Sequence, residues 1–384
     1  MYSLLGYEEM IKDKVRMDAY VAALKQVIQP NSVVLEIGAG TGVMSMLACR
    51  FGARHVYSIE PDSAIGVARE FAHANNLSDR ITFFQSLSTQ VDLPEKADVV
   101  VSDLRGVLPL FTTHIDSIIH AREQHLAPGG VLIPCKDTLW VALTDAPRGK
   151  EDPGRQWDRS QHDLDLSVVN KYLANTWTKA RVDSDRLLTQ PACWGTLDYR
   201  QIASADVSGI VNLTCTSDGK ARGLVAWFES QVLEEIRFSN APNAPGDPRA
   251  IYGMAYFPLL QETDVCAGDT IDVTFNATLL EQNYFWQWKT RIHRGNTDDL
   301  RAEFEQSDFY AEPVSLESLQ KGSELHIPTL DEEGSIDCFI MGQMRGIQAL
   351  GEIAAKLAAE FPDRFQSPQL ALNRVAQVSK RHSR

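Results

Sequence analysis

Between residue 30 and about residue 145, short apolar runs alternate with amphipathic stretches. Val33, Val34, Leu35 and Ile37 form a run rich in β-branched residues between Pro30-Asn31 and a glycine cluster. That pattern predicts a buried strand of a parallel sheet. Val43–Arg50 has helical character, and His55–Ile59 reads as a second strand ending at Glu60. Further strands are expected at Ile81–Phe84, at Ala97–Ser102 and within Leu126–Pro134, which opens with a Pro-Gly-Gly turn. Strand and helix in alternation predict an α/β, doubly wound, Rossmann-like sheet. Ahead of it, Tyr7–Leu24 has no proline or glycine and reads as one helix, with Met10, Lys14, Met17 and Ala22-Ala23 permitting an amphipathic face.

The pattern then changes. Residues 150–200 form a long insertion containing Trp157-Asp158 and Asp163-Leu164-Asp165-Leu166-Ser167. In residues 196–295, Ile210–Thr216, Gly223–Glu229, Ile251–Leu260 and Thr270–Leu280 are short apolar segments separated by turn signals, as in an antiparallel barrel or sandwich. Trp227-Phe228 and Tyr284-Phe285-Trp286 are expected to serve core and inter-sheet packing before any ligand stacking. After Thr297, Leu350, Ile353, Leu357 and Phe361 make a helical stripe, and Ala371, Val375 and Val378 a shorter one. The expected organisation is a covering helix (1–30), a nucleotide-binding sheet (31–145), a barrel (146–300), a linker (301–334) and a small helical region (335–384).

Composition narrows the function. A chain of 384 residues with 44% hydrophobic and 23% charged residues has material for two globular domains and a small third. Its net charge of −14 argues against nucleic-acid and anionic-membrane partners, which need a basic face. No run approaches a membrane span, and Met1–Gly6 lacks a signal-peptide pattern. Six cysteines without a CxxC pair read as reduced thiols of a cytoplasmic protein. Nine histidines without HExxH or close pairing give no metal site.

The glycines carry the chemistry. Gly38, Gly40 and Gly42 form GxGxG behind Glu36, and Val43 stands where a dinucleotide fingerprint has its last glycine. This pattern suits S-adenosylmethionine, whose sulfonium brings no pyrophosphate to seat. Glu60, at the end of the second strand, is placed to accept from two ribose hydroxyls. Ligands of such sheets bind beyond the carboxyl ends of the strands, which puts Ser86, Leu87 and Ser88 near the adenine. The same rule puts Ser102, Asp103, Leu104, Arg105 and Gly106 near the reacting methyl. The first helix is placed to cross the cofactor mouth, where Arg16 would hold the methionyl carboxylate; a surface ion pair is the plainer role for it.

Tyr7–Leu24, VLEIGAGTG, VYSIE, ADVVVSD and LAPGGVLIP, in this order and spacing, resemble the protein arginine methyltransferase family over most of residues 7–300. The resemblance implies cofactor contacts from Met10 and Arg16, a ribose contact from Glu60 and a backbone contact from Ser88. It also implies a helical arm at about 160–190 that docks on a partner subunit, hence a homodimer. The family's two guanidinium-orienting glutamates fall at Asp103 and Thr112, and its Thr-His-Trp loop at Ala250-Ile251-Tyr252. MRGIQALGEIAAKLAAEF is similar to small peptide-binding domains of the PqqD type.

The sequence therefore leads us to expect a class I methyltransferase with an altered acceptor site. Asp103 would orient or deprotonate the acceptor, and Arg105 would hold an anionic part of it. A neutral or anionic nitrogen or oxygen of a non-histone small molecule or peptide fits that pair, and arginine in histone-like basic peptides does not. The alternatives are a protein or free-arginine N-methyltransferase with a divergent site, and a non-catalytic cofactor-binding scaffold. Glu8, Glu9 and Asp13 read as a solvated helix face.

Overall fold

The computed structural model describes residues 3–145, 163–244 and 251–383. They divide into two compact units, Met1–Pro313 and Val314–Arg384.

The first unit is built outward from β1 (Val33–Ile37), whose five residues are all buried. Strands β2 (His55–Ile59) and β4 (Ala97–Ser102) flank it, and β3 (Ile81–Phe84) and β5 (Leu126–Ile133) form the edges, in the order β3-β2-β1-β4-β5. Every pairing is parallel, with Leu35 beside Tyr57 on one side and Val100 on the other. A central parallel strand covered on both faces has no polar face, which explains its apolar run, interrupted only by Glu36, whose buried carboxylate is satisfied by Ser45. Helices α3 (Val43–Arg50), α4 (Ile65–Ala74) and α5 (His114–Gln124) are the crossovers.

The single helix expected over Tyr7–Leu24 is two, α1 (Leu4–Lys12) and α2 (Lys14–Val27). Asp13 separates them in an extended conformation, and its side chain accepts from the Arg16 amide at 3.3 Å. An aspartate offers the backbone an N-cap in place of a continued helix. Its other oxygen accepts from the Ile251 amide at 3.0 Å, so Asp13 ties two segments together and does not lie on a solvated face. Glu8 and Glu9 are exposed, as read.

The β domain follows directly. One antiparallel sheet contains β6 (Lys136–Thr144), β7 (Thr178–Ala180), β8 (Ala192–Asp198), β10 (Gly219–Gln231) and β12 (Met254–Val265), in the order β7-β12-β10-β6-β8, with β11 (Arg237–Ser239) on β10. The other contains β9 (Val207–Thr214), β13 (Thr270–Leu280), β14 (Asn283–His293) and β15 (Leu300–Ser307), in the order β15-β14-β13-β9. Phe257 lies 5.1 Å from Phe275 and 5.2 Å from Trp288, ring centre to ring centre, in the buried aromatic core. Trp286 belongs to that core, in the packing role expected of it.

Two boundaries differ from the expectation, and a third lies outside the described residues. Strand β6 follows the sheet at once and was not foreseen. Strand β15 occupies the start of the expected linker, because Phe304 and Gln306 face inward beside β14. The expected arm begins outside the described residues, as does Trp157-Asp158. Its described part holds the short α6 (Asn170–Leu173), two 3-10 turns at Ser167–Val169 and Ser184–Arg186, and β7, which pairs with β12.

The second unit contains α7 (Leu316–Lys321), α8 (Glu332–Gln343), α9 (Leu350–Glu360) and α10 (Pro368–His382). Ile336, Ile340, Ile353, Leu357, Ala371, Val375 and Val378 form a core of its own. Asp331 and Ser367 cap α8 and α10, which sets where each helix begins.

Candidate active site

The turn after β1 brings its backbone close to its neighbours. Gly38, Gly40 and Gly42 have φ of 72°, 54° and 73°, a region that side chains rarely adopt. A Cβ on Gly38 would stand 2.1 Å from Leu104 Cδ2, and one on Gly40 2.5 Å from Tyr7 Cε1. Tyr7 of α1 thus lies over the glycine turn, a contact that sequence reading passed over. Glu60 accepts from the amides of Gly40 and Asp62, each at 2.9 Å, so one carboxylate joins the first turn to the second. Glu36 accepts from the Ser45 amide at 2.7 Å and from its hydroxyl. Burial pushes Glu36 up to about 7, against the pull of the Ser45 hydrogen bonds.

The remaining expected cofactor residues have separate partners. The Met10 carbonyl accepts from Arg16 Nη1 at 2.9 Å, and the Ser102 carbonyl accepts from the Tyr20 hydroxyl at 3.0 Å. Ser88 is buried with its carbonyl 3.3 Å from His125 Nε2, and Leu87 is exposed. A glycine turn that no Cβ can enter, two buried carboxylates and a buried arginine at one strand end fit a cationic, ribose-bearing cofactor.

Asp103 follows β4 with a side chain that is 4% exposed. Arg16 Nε donates to its Oδ2, Arg105 Nε donates to Oδ1 at 3.0 Å, and the Tyr252 hydroxyl lies 2.8 and 2.7 Å from the two oxygens. Burial alone would raise this acid; Arg16 and Arg105 outweigh it and hold the carboxyl well below the usual range. Burial pushes the Tyr252 phenol up, and Asp103 pushes it further.

Arg105 does not sit as expected. Its side chain is fully buried and every nitrogen has a partner. Nη1 donates to Asp137 Oδ1 and Oδ2 at 3.0 and 3.3 Å and to Ser230, and Nη2 donates to Tyr20. The rings of Tyr20, Phe228, Phe238 and Tyr252 enclose the guanidinium at 5.2 to 5.9 Å. Asp137, in β6, accepts from the Tyr199 hydroxyl at 2.6 Å, and Tyr199 reaches His114 Nε2 at 3.0 Å. Burial drives His114 down to about 3, so this end of the chain of contacts is neutral.

Asp137 was missed. Its signal was the period of β6: Asp137, Leu139 and Val141 alternate onto one buried face, and a carboxylate among them demands a cation. Thr112, by contrast, is exposed with φ of 42° and stands outside the cluster. Ile251 contributes its amide to Asp13, and Ala250 lies outside the described residues. Among the described residues no group of His, Cys, Asp and Glu could hold a metal ion, and no helix is long and apolar enough to cross a membrane.

Residues 18–135 match the family model of ribosomal protein L11 methyltransferase (PrmA), and residues 138–284 match the arginine methyltransferase oligomerization subdomain. Protein arginine N-methyltransferase 1.1 of Arabidopsis thaliana is 30% identical over 73% of this chain and 74% of its own. Protein arginine N-methyltransferase 1 of Schizosaccharomyces pombe is 32% identical over 63% of this chain and 73% of its own. Among solved structures, protein arginine methyltransferase 10 of Arabidopsis thaliana superposes with a TM-score of 0.68 at 21% identity, covering 79% of this chain and 97% of that one. The Trypanosoma brucei PRMT1 enzyme-prozyme complex gives 0.70 at 20% identity, covering 78% and 96%. The glycine turn, the acid-rich strand ends and these relatives agree: the chain belongs to the protein arginine methyltransferase family and is an S-adenosylmethionine-dependent methyltransferase.

Proposed function

We propose that the chain transfers the methyl group to a guanidino nitrogen of arginine, in a peptide or as the free amino acid, through a site with one direct carboxylate, Asp103. The observation that carries this reading is the cancellation of Arg105 by Asp137. A neutral or anionic acceptor was expected because Arg105 stood as a lone cation beside Asp103. With Asp137 bonded to it, that cation no longer repels a guanidinium, and the activity named for the relatives becomes compatible with the pocket.

In this reading Gly38, Gly40 and Gly42 let the cofactor approach the backbone, Glu60 takes the ribose, and Leu87 and Ser88 border the adenine. Met10 and Ser102 line the methionyl end, while Glu36 stiffens the turn through Ser45. Bound S-adenosylmethionine would supply an activated methyl: the nitrogen lone pair would form the new C–N bond, sulfur would keep the pair of the broken S–C bond, and the N–H proton would pass to solvent water. Arg16 leaves Asp103 Oδ2 for the methionyl carboxylate, which frees that oxygen for the acceptor. Cofactor therefore binds first. Arg105 acts through Asp103 and does not touch the acceptor.

The family match over 138–284 supports a homodimer, and the peptide-binding-like pattern of residues 344–361 motivates a recruiting role for 314–384. The test is mass-spectrometric product analysis with arginine, arginine peptides and a panel of neutral and acidic acceptors. Methyl groups on guanidino nitrogen, lost in Asp103→Ala, are expected. Transfer confined to neutral or acidic acceptors overturns the reading.

A further inference from the structure

Five ionisable or hydrogen-bonding side chains from separate elements meet behind Asp103: Arg105 from the loop after β4, Asp137 from β6, Tyr199 after β8, Ser230 from β10 and Tyr20 from α2. Asp103 and Arg16 keep some exposure, with side chains 4% and 11% exposed, as does Tyr252. Asp137 and Arg105 are closed off at 0%. Four aromatic rings hold the guanidinium in place, so it cannot turn outward to meet an acceptor.

The charge sum shows what this arrangement does. Arg16, Arg105, Asp103 and Asp137 together are neutral. Once Arg16 pairs with the cofactor carboxylate, the remaining three sum to −1. Without Asp137 they would sum to zero, and Asp103 would face the acceptor with its charge already spent on Arg105.

We propose that Asp137 is the second acidic group of the acceptor site, a positioning residue that neutralises Arg105 from behind and so leaves Asp103 a net negative charge for a cationic acceptor. The missing acid at Thr112 is thereby replaced from a different strand and at one remove. The chemical class selected is a monocation with a planar, multiply donating head, because Asp103 would offer Oδ2, beside the Tyr252 hydroxyl, once Arg16 turns to the cofactor. The inference rests on the arginine reading above.

Equilibrium binding tests it without turnover. The probes are acetyl-Gly-Arg-Gly-amide and its neutral citrulline counterpart, titrated into the full chain saturated with S-adenosylhomocysteine. The wild-type chain is expected to prefer the arginine peptide, and Asp137→Asn to cut that preference about tenfold while cofactor affinity and citrulline binding stay unchanged. Arg105→Met combined with Asp137→Ala removes both charges, keeps the sum at −1, and is expected to retain the preference within about threefold. A purely structural role for Asp137 would not move the arginine-to-citrulline ratio. An unchanged ratio in Asp137→Asn overturns the inference, as does loss of the preference in the double variant. The double variant decides the matter if Asp137→Asn fails to fold, since it leaves no unpaired buried charge. A wild-type chain with no preference for the arginine peptide sinks the arginine reading itself, and this inference with it.

Discussion

Asp103 and Glu36 are both buried carboxylates, and their surroundings push them in opposite directions. Asp103 has two guanidinium groups against it, whereas Glu36 has only the Ser45 amide and hydroxyl. For Glu36 the folded protein holds the proton up to about pH 7, and an unconstrained glutamate releases it near 4.5. Its contribution to stability is therefore present below pH 4.5 and lost as pH rises through that window, by about 3 kcal/mol in total. Urea midpoints of wild type and Glu36→Gln from pH 4.5 to 8 check this: the slope is expected to vanish in the variant, whose amide oxygen still accepts from Ser45. Parallel profiles would refute it. Asp103→Asn is expected to behave differently, because it leaves Arg16 buried without its anion, while Arg105 keeps only Asp137. A loss of about 3–5 kcal/mol in denaturant stability follows, on top of any loss of transfer. Arg105 teaches the residue-scale lesson. Asp103, two positions away, meets one edge of it, and only the structure brings Asp137, 32 positions away, against the other.

At the scale of elements, the turn after β1 and the break between α1 and α2 form one assembly. Gly40 can have no side chain because its backbone is left-handed and Tyr7 stands where a Cβ would go. Gly40→Ala is expected to cost about 1–3 kcal/mol and to displace α1, weakening S-adenosylhomocysteine in calorimetry. Pairing it with Tyr7→Ala should recover part of the loss, since the clash goes and the backbone strain stays. No recovery would mean that α1 plays no part in the turn. Asp13→Ala removes both the α2 cap and the Ile251 contact, and is expected to lower stability by about 1–2 kcal/mol in thermal unfolding. Helix content was legible in residues 7–24, because helix formers fill it. The break was not, because a capping aspartate and an interior aspartate look alike until one knows which amide stands above it.

For the whole molecule, two separate cores imply two separable units. A chain ending at Pro313 is expected to keep S-adenosylhomocysteine affinity within about twofold, because every residue assigned to the cofactor lies before it. If residues 314–384 recruit the acceptor, the same truncation raises KM for peptide acceptors and leaves free arginine untouched. Equal effects on both would remove the recruiting role. Light scattering at micromolar concentration is expected to give twice the chain mass; a monomer would contradict the assembly drawn from the oligomerization match.

The strand–turn–helix of the cofactor half was readable directly, since a covered parallel strand must be largely apolar and a close-approach turn must use glycine. Both constraints are local. The acceptor half was readable only as a list of unusual residues: Asp103, Arg105 and Thr112. Whether its charges were free or cancelled depended on β6, β8, β10 and α2 arriving at one point. Coulomb interactions in a buried site act through space between strands far apart in the chain. Tertiary structure alone decided which cation was spent and which carboxylate remained to act.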